Sequence, residues 1–308
     1  MLNGPGPFVD IAESLMVRKV MVIGLGRMGS ALAATLLKND YEVSVWNRTA
    51  SRAAPLVEAG ASQADSVAEG ISVSEVIVVC VGNYDDTKSL LEDCGDLSGK
   101  TLIQLTTATA PETRDMEAWA IQNGALYLDG AIMAYPSDVG TEACYLLVAG
   151  SEAAWRDCEP IVMCLGGASR FLGENVAAPT ALDAALIISS LSSIIGMIQG
   201  AHIVEQEGLD VSEYLELVVG MSVDEVPHDL RRQGNAIARN DFSDTQAALG
   251  TYAAGLSNLV GDYAKRGLNM QFPQAINDLL NRALQAGYEE EEVAAVIKVM
   301  REGMPPTS

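Results

Sequence analysis

The sequence is short of positive charge. Lysine and arginine together number 19 against 41 aspartates and glutamates, giving a net charge of −22. Such a surface repels polyanions over a Debye length, which argues against nucleic acid as a partner. Lysine is missing altogether between Lys100 and Lys265, and only two histidines occur, His202 and His228. The five cysteines (Cys80, Cys94, Cys144, Cys158, Cys164) include no C-x-x-C pair and form no compact secreted framework. They read as reduced thiols of a cytoplasmic protein, and no metal site is expected. The opening "MLNGPGPFVDIAESLMVRKV" has no basic segment followed by an unbroken apolar core, so residues 1–17 read as an extension and not as a signal peptide. No fixed-period repeat or low-complexity tract is present.

One uncharged stretch is long enough to raise the membrane question. Residues 184–204 have no formal charge, the length of a spanning helix. Ser189, Ser190, Ser192, Ser193, Gln199 and His202 make it polar for a lone anchor, and basic flanks are missing. The expectation is a long helix enclosed in protein, with no membrane span.

At 308 residues, 49% of them hydrophobic, the chain exceeds the roughly 250 residues that one core usually serves. From Val20, short apolar runs alternate with helical patterns. "KVMVIGLG" is a strand, "SALAATLLKND" a helix and "YEVSVWN" a second strand; "VIVVCVG", "KTLIQLT", "ALYLDGAI" and "CYLLVAG" follow as strands. This is the pattern of a doubly wound parallel sheet. It ends near Gly173. Pro179 suits a first helical turn, and the helix it opens can run to Glu207 before Gly208. The expected domains are a Rossmann-type α/β domain over 18–173, an interdomain helix over 174–207 and an all-α C-terminal domain over 208–308. Helical patterns in the last part cover 211–221, 223–238, 244–266, 273–285 and 289–301. The four carboxylates Glu289 to Glu292 fall in a first turn, with Lys298 and Arg301 in the last. That arrangement complements a helix dipole and calls for no catalytic role.

"VMVIGLGRMGSALAATLL" holds G-x-G-x-x-G between a strand and a helix, the context that gives the motif meaning. Gly24 allows the tight turn, Gly26 lets backbone approach a pyrophosphate, and Gly29 lets helix and strand pack closely. The loop residues Leu25, Arg27 and Met28 join the cofactor site with them. At the end of the second strand stands "VWNRTASRA", where an NAD enzyme usually carries an acid for the ribose 2′-hydroxyl. No carboxylate occurs before Glu58. Asn47, Arg48, Thr49 and Arg52 instead offer two guanidiniums and a hydroxyl to a 2′-phosphate, which predicts NADPH.

"TALDAALIISSLSS" poses the chemical question. Asp183 is the only Asp, Glu, Lys or Arg between Glu174 and Glu205. A hydride-transfer site needs a proton or a stabilising charge at the heteroatom beside the reduced carbon. His202 lies roughly 28 Å along one helix from Asp183 and cannot cooperate with it within a chain; both histidines read as packing or surface residues. A bland role for Asp183 is a helix cap or a pair with Arg231 or Arg232.

"GLGRMG", "NRT", "LIQLTTATAPE", "YLDGAIMAYP" and "PTALDAALIISSL" together resemble the imine reductases, including the reductive aminases, and more distantly the β-hydroxyacid dehydrogenases. The similarity covers about residues 18 to 303. In the latter family a lysine early in the interdomain helix polarises a substrate oxygen, and this chain has none there. The resemblance implies that Asp183 is the catalytic acid or the partner of a cationic iminium. It implies cofactor contacts from Val81, Gly82, Gln104, Thr106 and Thr107, a substrate wall including Met133 and Tyr135, and a homodimer whose helices exchange C-terminal domains. Leu191 stands where some reductive aminases have Tyr, and Asn258 near where many relatives have His. The expected substrate is a small imine or amine. An NADPH carbonyl reductase of the β-hydroxyacid type and a non-catalytic NADP-binding protein remain the other readings.

Overall fold

A computed structural model describes residues 18–223 and 225–303; the extension expected over 1–17 lies outside the described residues. The first half alternates β1 (Lys19–Ile23), α1 (Arg27–Lys38), β2 (Glu42–Trp46), α2 (Ala54–Glu58), β3 (Ser62–Gln63), α3 (Val67–Ser72), β4 (Val76–Val79), α4 (Tyr84–Leu91), β5 (Thr101–Gln104), α5 (Ala110–Gln122), β6 (Leu126–Met133), β7 (Tyr145–Gly150), α6 (Glu152–Leu165) and β8 (Arg170–Phe171). The eight strands lie in the order β3-β2-β1-β4-β5-β6-β7-β8. Neighbours are parallel except β6 and β7, which pair antiparallel. The order reverses between β1 and β4, the place where open α/β sheets leave a crevice beyond their carboxyl ends.

The unbroken apolar runs of β1 and β4 follow from burial on both faces. Val20, Val22, Val76 and Val78 point into one core with Leu32 and Leu36 of α1 and Ile161 and Val162 of α6. Met21, Ile23, Ile77 and Val79 point into the other, against Ile71, Leu91 and Met116 of α3, α4 and α5. All twelve of these strand and α1, α6 side chains are fully enclosed. The doubly wound expectation holds.

Beyond the sheet come α7 (Ala178–Gln206), α8 (Val211–Val223), α9 (Glu225–Arg239), α10 (Leu249–Lys265), α11 (Gln271–Gln285) and α12 (Val296–Arg301). The chain divides into two compact units between Ile187 and Ile188, inside α7. In the second unit, small cores form around Phe242, Leu249, Leu280 and Val299 and around Val260 and Leu268.

Two expectations need correction. The helix read over 289–301 is a 3-10 turn at Val293–Ala295 followed by α12, so the carboxylates do not form a helical first turn. Glu292 is fully enclosed instead. Its carboxylate takes Arg232 as an ion-pair partner and accepts from Gln233 Nε2 at 3.0 Å. Burying a charge requires such pairing, and dipole complementarity could not supply it. The second correction concerns α7. Expected to be enclosed, it buries only Pro179 within one chain, and Leu186, Ile187, Ile188, Leu191, Ile194, Ile195 and Ile198 are all exposed. It is also the one helix among the described residues long and apolar enough to cross a membrane by length and composition.

Candidate active site

A cavity of about 650 Å³ opens at the β1/β4 fork. The glycine loop forms its floor. Gly24 has φ +95°, a left-handed conformation that glycine adopts without strain, and a Cβ there would strike the carbonyl of Cys80. A Cβ at Gly29 would run into the carbonyl oxygen of Gly24, so α1 and the loop pack only because it is absent. Gly26 is different: a Cβ would meet nothing within 4 Å. The space over Gly26 is open, as a pyrophosphate against bare backbone requires. Helix α1 starts with no side-chain cap and no acidic residue in its first turn. Its first N–H groups and positive dipole end are therefore left for an anion. These features fit a dinucleotide phosphate.

Asn47, Arg48, Thr49 and Arg52 line the same cavity with Gly24, Gly26, Arg27, Met28 and Gly29. Asn47 ties β2 to the loop, its Oδ1 accepting from Leu25 N at 2.9 Å. Leu25 itself is absent from the cavity wall. Its N–H is already taken and its side chain is buried in the core, so it has no donor to spare for a cofactor. Val81 and Gly82 also line the cavity.

Three further expected contacts stand outside the lining. Gln104 is fully enclosed, with Nε2 donating to Thr87 Oγ1 at 3.0 Å. Thr106 is buried and accepts from Val81 N at 3.1 Å, so it shapes the loop from behind. Thr107 is exposed beyond it. Conversely, Trp46, Cys80, Asp86, Ser89 and Leu90 line the cavity unannounced. The position of Trp46 directly before Asn47 was one available signal. The i, i+3, i+4 spacing of Asp86, Ser89 and Leu90 on the helix after "VGN" was another.

Asp183 sits in the second turn of α7, half-buried. Loss of water raises its pKa above the ordinary carboxylate value. Among the described residues it forms no hydrogen bond or ion pair, and Arg232 is engaged by Asp229 and Glu292. Asp183, Met133 and Tyr135 are not part of this cavity's wall. Met133 is half-buried near the end of β6, and Tyr135 is 77% exposed just beyond. Leu191 and Asn258, in the second unit, are exposed. His202 lies 3.9 Å from Glu205 on the helix surface.

The comparisons agree with this geometry. Residues 19–176 match the model for the NAD binding domain of 6-phosphogluconate dehydrogenase. Residues 175–302 match the C-terminal domain of NADPH-dependent reductive aminase-like proteins. An NADPH-dependent reductive aminase from Aspergillus oryzae is 28% identical over 94% of this chain and 99% of its own. The solved imine reductase from Myxococcus stipitatus, a V8 variant in complex with NAD+, superposes with a TM-score of 0.88 at 31% identity, covering 92% of this chain and 99% of that one. A reductive aminase from Aspergillus terreus, in complex with NADPH4, cyclohexanone and allyl amine, gives 0.85 at 26% identity over 92% and 100%. A glycine-cradled cavity on a doubly wound sheet, a helical second half and these matches lead to one assignment: the chain belongs to the imine reductase and reductive aminase family.

Proposed function

We propose that this chain is an NADPH-dependent imine reductase, reducing the C=N bond of small cyclic imines or iminium ions to amines. NADPH would be held by Gly24, Gly26 and Gly29 at its phosphates, by Arg27, Met28, Val81 and Gly82 along the cavity, and by Asn47, Arg48, Thr49 and Arg52 at the 2′-phosphate. When bound it supplies the hydride. Everything else falls to the protein. The observation that carries the reading is Asp183: a half-buried carboxylate with no ionic partner among the described residues, in a stretch that has no lysine. A lysine would steady a developing alkoxide but repel an iminium. A carboxylate does the reverse, attracting the cationic substrate and, once protonated, donating to the product nitrogen.

The domains are proposed as first read: 18–173 for the dinucleotide, 174–207 as the connecting helix and 208–308 for dimerisation and substrate. The exposed apolar surface of α7 supports a homodimer, because a helix apolar all round is stable only when covered. A second copy covering α7 would further desolvate Asp183 and complete the pocket to which Met133, Tyr135, Leu191 and Asn258 contribute. The free thiols of the described cysteines suit a cytoplasmic location.

The test is an NADPH-oxidation panel of cyclic imines, ketone-amine mixtures and hydroxyacid-type carbonyls, run on wild type and Asp183→Ala. Turnover of imines that disappears in the variant supports the reading. Turnover confined to carbonyls, or cofactor binding without turnover on any arm, overturns it.

A further inference from the structure

Between α4, the carboxyl end of β5 and the middle of β6 lies a buried polar layer that the reaction does not use. Asp129 is 1% exposed, and both Tyr84 and Tyr127, themselves buried, donate their hydroxyls to its Oδ2. The Tyr127 bond is 2.7 Å and stays within β6. The Tyr84 bond crosses from α4 to the sheet. One turn along α4, Thr87 accepts from Gln104 Nε2, and Gln104 is the register neighbour of Asp129. Placing a carboxyl and an amide in an apolar core is costly unless each does something that an apolar residue could not.

Helix geometry suggests what that is. Tyr84, Thr87 and Leu91 form the buried face of α4, whereas Asp86, Ser89 and Leu90 line the dinucleotide cavity. The helix follows directly on Val81 and Gly82, which line the cavity too, and Asn83 caps it by accepting from Asp86 N at 2.7 Å. α4 is thus one wall of the cavity, eight residues long and too short to hold its place by its own helicity. Hydrophobic contact alone would let it slide or rotate on the sheet, and directional bonds at Tyr84 and Thr87 fix both register and rotation.

We propose that Asp129 is a positioning residue which, through the Tyr84 hydroxyl, holds α4 and with it one wall of the cofactor cavity. The part concerning the cofactor rests on the NADPH reading above; the anchoring of α4 does not.

The two tyrosines provide the test. Tyr84→Phe and Tyr127→Phe each remove one hydroxyl donor from the same carboxylate oxygen and keep the ring, so their costs to the layer are alike. Only Tyr84 belongs to α4. Amide hydrogen exchange over 84–91 and fluorescence titration with NADPH would be measured on wild type and both variants. Tyr84→Phe is expected to speed exchange in α4 and raise the Kd for NADPH about fivefold, with kcat at saturating cofactor nearly unchanged. Tyr127→Phe is expected to leave α4 exchange as in wild type and the Kd within about twofold. Equal behaviour of the two variants, or unchanged α4 exchange in Tyr84→Phe, overturns the anchoring. If wild type has no NADPH affinity, the cofactor reading fails and the exchange data alone decide whether Asp129 anchors the helix.

Discussion

The sheet unit and the helical unit solve the burial problem differently. In the first, β1 and β4 are apolar on both faces and find their cover within the same chain: α1 and α6 on one side, α3, α4 and α5 on the other. In the second, small cores are enclosed, but the longest apolar surface is not. Leu217, Val219 and Val223 of α8 and Leu230 of α9 are exposed along with the row on α7. One chain therefore carries a complete dinucleotide-binding unit and an incomplete helical one. What remains uncovered is apolar, and that calls for a second molecule more than for solvent. Under the proposed homodimer the division of labour follows: cofactor affinity would belong to a single copy, whereas turnover would belong to the assembly.

The strongest way to break that contrast is to charge α7. The double variant Ile188→Asp, Ile195→Asp is expected to sediment as a monomer and to lose imine turnover entirely, while still binding NADPH. Retained turnover in a monomer would erase the distinction between the units. Analytical ultracentrifugation beside a cofactor titration measures both.

Next in size is a pH effect confined to the sheet unit. Burial pushes Asp129 up to about 7, against the hydroxyls of Tyr84 and Tyr127, which favour the carboxylate, and with Glu117 of α5 adding repulsion. The folded state thus holds this proton more tightly than the unfolded chain. The resulting stability is full below the ordinary carboxylate pKa near 4 and is lost as pH rises through 7. Linkage puts the effect on the order of a few kcal/mol. Asp129→Asn is expected to flatten that part of the stability profile between pH 4 and 8. Denaturant titrations at several pH values check it, and because the effect resides in one copy it should not vary with protein concentration.

The smallest expected effect concerns cofactor choice. Arg48→Ala removes one charge-assisted partner of a 2′-phosphate and should lower the preference for NADPH over NADH by about tenfold. The ratio of kcat/KM for the two cofactors reads this directly. An unchanged ratio would mean that Arg48 is an ordinary solvated charge.

Much of the sheet unit was legible in the sequence because its determinants are local. Strand periodicity, the three glycines and the Asn-Arg-Thr turn each carry their meaning within a few residues, and the structure puts them around one cavity. The residues expected at the cofactor that stand outside this wall are those whose place is decided by what packs behind them. Leu25 spends its N–H on Asn47, and Gln104 turns into the core toward Thr87. The α4 wall could be inferred only once helix and sheet were docked, since Asp86, Ser89 and Leu90 have no motif of their own. Beyond the sheet, the length of α7 was readable from the uncharged stretch 184–204 and the Pro179 before it. Its exposure was not, because composition records that a surface is apolar and not which molecule covers it. Glu292 shows the same limit: four consecutive carboxylates look alike in sequence, yet one is buried against Arg232.

The central claim is that Asp183 serves the nitrogen of a C=N bond. The most direct measurement is the single-turnover rate of hydride transfer from NADPH to a cyclic imine in wild type and Asp183→Asn, with NADPH affinity determined in parallel. The expected result is a rate lower by about 10²- to 10⁴-fold in the variant, with cofactor affinity unchanged. Equal rates in the two proteins would contradict the assignment.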